Sequence, residues 1–540
     1  MTIFRSVLGP LSVGLLVATT AIGCDDGVDS NEDDFTSAQA TLLEFEFDGA
    51  LVTTETFDLE QTIQDQLLYT IGHLNGNKAV GRLDTVVISD IESERLDDGT
   101  TSVKYHAKLP VAWGSKTNLP KTYDLTLPKK IDFAGLEAFT DAYKAKCVDH
   151  GAHDVTSGSM WYYYRPNQSG CKLADGDVVK VKATVTKSVE NTEGKYPEFH
   201  KVWEDDELRV VAIFGKFEDG AKTSSDAGIS AYNSFVSGVK STFSGAKQTP
   251  AVSGSPGVEN PDVTIEATLP NGKKVVVNAL LVDNVSSAPQ KFYTRYEGLS
   301  TEADIIFYNG HAGLGQNVRA LAQKGEFRAE KYQIFFMNGC DTFAYVDGSL
   351  AKTRSVLNPD DPTGTKYMDM VTNAMPAFFS SMPSASLALI KSLGDEAKPK
   401  TYQDIFANID KSQVVVVTGE EDNVYTPQGV VKAWEVNEEG VVAKGEEKRY
   451  ELGTLKAGSY TIALHEDQAA PGGDADLYIG LGKAPTLTKW DFRPWLDGSN
   501  EEVTLVLDKP TAVFVMVQGY EEMSGSSAAF KLSGRVAPKP

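Results

Sequence analysis

Two stretches of this chain, Asp304-Ile-Ile-Phe-Tyr-Asn-Gly-His311 and Tyr332-Gln-Ile-Phe-Phe-Met-Asn-Gly-Cys340, run from apolar residues into Asn-Gly and then into a side chain capable of chemistry. A cysteine thiolate is an effective nucleophile, and an imidazole within reach lowers the thiol's pKa and serves as an acid near neutral pH. Gly310, Gly313 and Gly339 leave backbone amides open to a substrate. The amide of Cys340, with one from the Ala312-Gly313 turn, could form an oxyanion hole. Asn309 or Asn338 could orient the histidine, and both also suit turns.

The elements that position these residues follow from the pattern. Each run is short, continuous and rich in Ile, Phe and Tyr, which predicts a strand buried on both faces. Between them Val318, Leu321 and Ala322 recur at helical spacing. A crossover of that length joins parallel strands, so both strands end on one edge of the sheet. His311 and Cys340 are then neighbours, where open α/β sheets place their ligands. Glu420, Glu421 and Asp422 follow the strand Val414 to Thr418 and are expected on the same edge, as an acidic pocket for a basic side chain or as a solvated loop.

The other cysteines sharpen the position of Cys340. Residues 1–23 carry Arg5, then a mostly apolar run from Val7 to Ile22, too short for a spanning helix and expected to be a cleaved signal. The run ends in Thr20-Ala21-Ile22-Gly23-Cys24, which resembles a bacterial lipoprotein lipobox and implies lipidation of Cys24. Residues 24–36 form an acidic tether, nearly free of apolar side chains at its start. Cys147 and Cys171, 24 residues apart, fit a disulfide in an oxidising compartment. Cys340 is left over, either buried and inert or kept for its reactivity.

Charge narrows the partners. The 540 residues carry 51 basic and 75 acidic side chains, a net charge of -24, which opposes nucleic acid phosphates and anionic membrane surfaces. A protein or peptide substrate fits, with the membrane reached through the lipid anchor alone. Beyond the leader no segment approaches 18 consecutive apolar residues.

Three folded segments follow the tether. Residues 37–200 read as an α+β domain of order β-α-β-β-β-α-β-β, a ferredoxin-like arrangement. His150 and His153 beside Asp149 and Asp154 suit a metal cluster or a solvated loop. Residues 205–425 alternate strand and helix signals, giving an α/β domain with a mostly parallel sheet, and a stretch of weak order is expected over 346–366. Residues 440–537 show short alternating strands with turn signals, an all-β sandwich.

A strand ending in a glycine-flanked histidine, then one ending in a small residue and cysteine, resembles the caspase-like cysteine peptidases, including caspases, legumains, gingipains and clostripain. The 29-residue interval from His311 to Cys340 is nearest the gingipain-like arrangement. The resemblance implies a cysteine endopeptidase in which Cys340 attacks the scissile carbonyl and His311 serves the leaving amine. Ala312 stands where glycine is usual, which shifts the oxyanion donor by one residue.

The last hundred residues resemble the bacterial pre-peptidase C-terminal domain through Tyr450 to Tyr460, Gly473-Asp-Ala-Asp-Leu-Tyr478, Arg493-Pro-Trp495, Ser499-Asn-Glu501 and Val515 to Tyr520. This resemblance implies a module that aids secretion, targeting or substrate attachment. Related domains use calcium, to which Asp474 and Asp476 could contribute carboxylates. The whole reads as a lipid-anchored protein of the bacterial cell envelope. The rival reading is a catalytically inactive surface lipoprotein that binds a polymer or partner.

Overall fold

The computed structural model describes residues 34–345, 348–430, 435–455, 458–467, 469–496, 498–507, 511–520 and 525–536. The expected signal 1–23, the lipidation site Cys24 and most of the tether 24–36 lie outside the described residues. The chain is multidomain, with several sheets.

The first domain holds β1 (Thr41–Thr53), α1 (Leu59–Asn75), β2 (Ala79–Gly81), β3 (Val87–Arg95), β4 (Thr101–Trp113), β5 (Thr122–Pro128), α2 (Phe133–Tyr143), α3 (Met160–Tyr163) and β6 (Val178–Lys187). Strand β1 buries Leu43, Phe45 and Phe47 while Glu46 and Asp48 face out, the two-residue period of a half-buried strand. Helix α1 starts where Asp58 accepts the Gln61 amide, and it buries Ile63, Leu67, Ile71 and Leu74 on one face.

The strand order is β2-β4-β1-β6-β5, with β3 also on β4. Strands β1 and β2 are both antiparallel to the intervening β4, so β1-α1-β2 is a split βαβ unit. The ferredoxin-like arrangement needs a second such unit. Here β5 and β6 are antiparallel neighbours joined through α2 and α3, and no strand separates them. Met160–Tyr163 is a single helical turn, where the order β-α-β-β-β-α-β-β has its seventh element, a strand. Cys147 and Cys171 are disulfide-bonded, with Cα atoms 4.7 Å apart.

A short helix α4 (Phe199–Val202) leads into the second domain. Its elements are β7 (Glu207–Gly215), α5 (Ala227–Thr242), β8 (Lys247–Thr249), β9 (Asp262–Thr268), β10 (Lys274–Val282), α6 (Gln290–Ser300), β11 (Ile305–Asn309) and α7 (Gln316–Lys324). They continue through β12 (Gln333–Asn338), α8 (Ser349–Leu357), β13 (Met368–Asn373), α9 (Met382–Leu393), α10 (Tyr402–Phe406) and β14 (Val415–Thr418). One eight-stranded sheet results, in the order β14-β13-β12-β11-β7-β10-β9-β8. The neighbours from β13 to β10 are parallel, and β14, β9 and β8 run antiparallel at the edges.

Both faces of this sheet are covered, which is why its strands read as unbroken apolar runs. Phe307, Ile334 and Phe336 pack with Phe235 of α5 and Ile390 of α9 on one side. Ile306, Phe335 and Met337 pack with Tyr296 of α6 and Leu321 of α7 on the other. The stretch of weak order expected over 346–366 contains α8, because Arg354 is drawn fully inside: its Nη1 donates to Gln333 Oε1 at 2.6 Å and its Nη2 to Tyr367 O at 3.0 Å.

The first domain shares a core with the carboxyl end of this sheet. Phe35 meets Phe343 edge-on at 5.9 Å, Trp161 meets Tyr345 at 6.3 Å, and Ser37 Oγ donates to Val415 O at 2.6 Å.

After a two-strand ribbon, β15 (Tyr425–Thr426) with β16 (Gly429–Val430), the chain forms seven further strands. These are β17 (Glu435–Ala443), β18 (Glu447–Leu455), β19 (Gly458–Glu466), β20 (Ala475–Leu481), β21 (Glu501–Leu507), β22 (Thr511–Gly519) and β23 (Ser527–Val536). They make two antiparallel sheets, β17-β23-β19-β21 and β18-β22-β20. Ile462, Leu464 and Phe530 of one sheet share a core with Leu477, Ile479 and Val515 of the other, a β-sandwich. Strand β17 escaped the sequence pattern because Glu438 and Glu439 interrupt its alternation.

Candidate functional site

Strands β11 and β12 are parallel and in register, with Asn309 opposite Asn338, so His311 and Cys340 leave the sheet at the same edge. The two asparagines are fully buried. Asn338 Nδ2 donates to Asn309 Oδ1 at 2.8 Å and to Met382 O at 3.1 Å. Asn309 Oδ1 also accepts Ser386 Oγ at 2.8 Å. On the next strand Asn373 Nδ2 donates to Asn338 Oδ1 at 3.0 Å, and Gln413 Nε2 reaches Asn373 Oδ1 at 3.1 Å. These amides form a polar ladder across the carboxyl end of the sheet and neither orients His311. An unpaired buried amide costs about 1–3 kcal/mol, so the ladder is held by mutual need.

His311 is exposed. Its Nε2 lies 3.1 Å from Phe217 O, which can only accept, and its ring packs 5.2 Å from Phe217 and 5.0 Å from Phe379. Its own carbonyl accepts Tyr308 Oη at 2.6 Å and Asn317 Nδ2 at 2.8 Å. The loop carrying Phe217 is set by Asp226, whose carboxylate accepts the amides of Phe217, Glu218 and Ile229 at 3.1, 2.9 and 2.9 Å and so also caps α5.

Cys340 is half-buried, and its thiol donates to Ala377 O at 3.7 Å. Burial, with the adjacent Asp341 carboxylate, pushes the thiol up to about 11. That is the reverse of what a thiolate nucleophile needs. Asp341 is itself fully buried: Asn75 Nδ2 at the end of α1 donates to it at 3.1 Å, and burial raises its carboxyl to about 7 against the opposing pull of Asn75 and Arg165.

The glycines serve the backbone. A Cβ on Gly339 would stand 2.8 Å from Gly310 O, so the two turns can touch only because Gly339 carries no side chain. The Gly310 amide donates to Asn338 O at 3.4 Å and the Gly339 amide to Met337 O at 3.0 Å. Ala312 is buried in the core shared with the first domain, and Gly313 takes φ +59° in the turn that follows.

Strand direction overturns the acidic pocket. Because β14 is antiparallel to β13, Thr418 pairs with Met370, and Glu420, Glu421 and Asp422 emerge at the opposite edge from His311. Glu420 is fully buried there, and burial, with the like charges of Asp369 and Glu421, lifts its carboxyl well above the usual range.

In the sandwich, Asp476 is taken by Arg493, whose Nη2 donates to Asp476 Oδ2 at 2.9 Å. Among the described residues no group of three or more His, Cys, Asp or Glu side chains could hold a metal ion; the loop of His150 and His153 is no exception, nor are Asp474 and Asp476. The Arg493-Pro-Trp495 segment was legible as a sequence feature, but nothing in its spacing marked Arg493 as the partner of Asp476.

No protein-family model matches the chain. Part of it is similar to the Virulence metalloprotease of Vibrio anguillarum, 45% identical over 53 residues, 10% of this chain and 9% of that protein. Alkaline serine exoprotease A of Vibrio alginolyticus is 47% identical over 55 residues, 10% of each chain. The Zinc metalloprotease of Helicobacter pylori is 32% identical over 83 residues, 15% of this chain and 31% of that protein. The chain thus spans between 9% and 31% of the length of these relatives. A solved structure, the periplasmic inhibitor of g-type lysozyme PliG of Aeromonas hydrophila, aligns with a TM-score of 0.16 and 15% identity over 20% of this chain and 89% of that one, too weak to bear on function.

These relatives carry metalloprotease and serine protease names, and they overturn the caspase-like cysteine peptidase resemblance. With it goes the cysteine endopeptidase built on His311 and Cys340, whose neutral thiol and separately engaged imidazole do not make an ion pair.

Proposed function

We propose that this chain is an extracytoplasmic attachment protein whose C-terminal β-sandwich is an appendage of the kind that exported proteases carry, holding the α/β body to a polymer or protein surface. One observation carries the reading. The chain resembles a part of a metalloprotease and a part of a serine protease, whose reacting groups differ. A resemblance to both points away from their differing catalytic groups and towards a part that serves cleavage, such as attachment. We assign the shared segment to the run from Tyr450 to Tyr520, which lies within the sandwich.

An extracytoplasmic setting is supported by the Cys147–Cys171 disulfide, since such bonds persist in oxidising compartments. Among the described residues no helix is long and apolar enough to cross a membrane. Lipidation at Cys24 would supply the membrane tether. Calcium enters this reading only as a candidate ligand of the sandwich.

The carboxyl edge of the central sheet has a second part in the proposal. Phe217 is 45% exposed and packs on His311, in a position where α/β sheets receive ligands. This edge is read as a binding surface for an apolar or aromatic side chain of a peptide, formed by His311 and Phe217.

The test is retention of the full chain on insoluble collagen, chitin and peptidoglycan, beside a chain ending at Val430, with casein hydrolysis followed in parallel. Retention on at least one polymer, lost in the shortened chain, is the expected result. Equal retention of the two chains, or retention of neither, overturns the attachment role.

A further inference from the structure

The segment between β20 and β21 carries a tryptophan that is both prominent and held. Trp495 is 65% exposed, and its backbone takes φ +66°, a left-handed conformation that a bulky residue adopts only when its surroundings impose it. Three contacts do so. The Arg493 guanidinium carbon lies 3.5 Å from the centre of the Trp495 ring and 4.7 Å from that of Tyr478. The buried Arg493–Asp476 pair fixes the guanidinium from β20. Beyond the ring, the Leu496 amide donates to Glu501 Oε1 at 2.9 Å, and Glu501 also accepts the Leu477 amide, tying the loop to β20 and β21. Trp490 stands edge-on to Trp495, with centroids 6.1 Å apart.

We infer that Trp495, backed by Arg493 and flanked by Trp490, is a stacking platform for a pyranose ring of a neutral β-linked polysaccharide. This rests on the attachment role of the sandwich and names its ligand. In a β-linked glucose-type ring the hydroxyls are equatorial, leaving a C–H face that packs flat on an indole through dispersion. A pre-set ring loses little conformational freedom when the sugar arrives.

Charge selects against other occupants. One face of Trp495 already carries a cation, which draws electron density from the ring and makes the outer face a poor seat for a second lysine or arginine. Dispersion contact with a neutral C–H face suffers less. A net charge of -24 turns away nucleic acid bases with their phosphates and anionic polymers alike.

The experiment is titration of the full chain with chitohexaose and cellohexaose, read by tryptophan fluorescence, alongside adsorption to insoluble chitin and cellulose. Saturable quenching by at least one hexaose is expected. W495A should weaken binding about tenfold or more, and W495F should keep it within about threefold, since a phenyl ring preserves the flat face. The thermal melts of both variants report whether each is folded. Unchanged binding by W495A overturns the platform, and loss of polymer retention on ending the chain at Val430 would then leave the attachment role standing. Binding of oligolysine or of phosphatidylcholine vesicles with no response to either hexaose also overturns it.

Discussion

Asn338 donates from Nδ2 to Asn309 Oδ1 at 2.8 Å, and both side chains are shut off from solvent. This single bond explains why two neighbouring strands end alike. Each strand brings a polar amide into the core at the same register, where the Asn309 oxygen accepts both Asn338 Nδ2 and Ser386 Oγ. The repeated Asn-Gly in the sequence therefore marks a structural join between strands, followed by a close contact of Gly310 with Gly339 that no side chain would allow. His311 and Cys340 are carried to one edge as a consequence.

Breaking that join is expected to be costly. In N338A, Gln413 loses an acceptor, and Asn309 Oδ1 keeps only Ser386 Oγ. Leaving buried amides unsatisfied predicts a loss of about 2–4 kcal/mol. Urea unfolding followed by circular dichroism checks it. A loss under about 0.5 kcal/mol would mean that water replaces the missing partners.

Cys340 is expected to react slowly. With its thiol raised to about 11, roughly one molecule in a thousand is a thiolate at pH 8, and iodoacetamide alkylation should climb steadily through pH 10. H311A should change the rate less than about twofold, because the imidazole is engaged with Phe217 O rather than with the thiol. A rate plateau near neutral pH that collapses in H311A would show an ion pair after all.

Asp341 predicts a pH dependence of stability. Its carboxyl is raised in the fold to about 7 from the ordinary 3.8, so the fold favours the protonated form. The corresponding stability is present in full below about pH 4 and is lost as pH rises through 7. D341N should remove this part of the slope, gaining on the order of 2–4 kcal/mol relative to the native chain between pH 4 and pH 8. Asp304 and Asp369, also raised to about 7 by burial, keep a residual slope in the variant. Chemical denaturation at several pH values measures it, and parallel curves for the two chains would contradict it.

The sequence made the strands of the central sheet legible because burial on both faces leaves continuous apolar runs such as Ile305 to Tyr308 and Ile334 to Met337. It also made the β-sandwich of residues 440–537 legible, because the alternation of most of its strands is regular. The edge strand β14 misled, since the direction of Val415 to Thr418 depends on pairing with β13 and has no local signature. Glu420 was displaced to the far edge for that reason alone. The sequence left Cys340 open between an inert and a reactive thiol because its pKa is set by burial and by Asp341, beside a core contributed by residues more than 170 positions away, such as Trp161 against Tyr345. Arg493 was hidden similarly: its stacking on Trp495 depends on Asp476 of β20.

The attachment role is tested most directly by an adsorption isotherm of the full chain on the polymer that retains it, set against the chain ending at Val430 at the same temperature and salt. The account predicts saturable adsorption by the full chain and an affinity at least about tenfold lower, about 1.4 kcal/mol, for the shortened chain. Superimposable isotherms for two folded chains would place attachment outside the sandwich and contradict it.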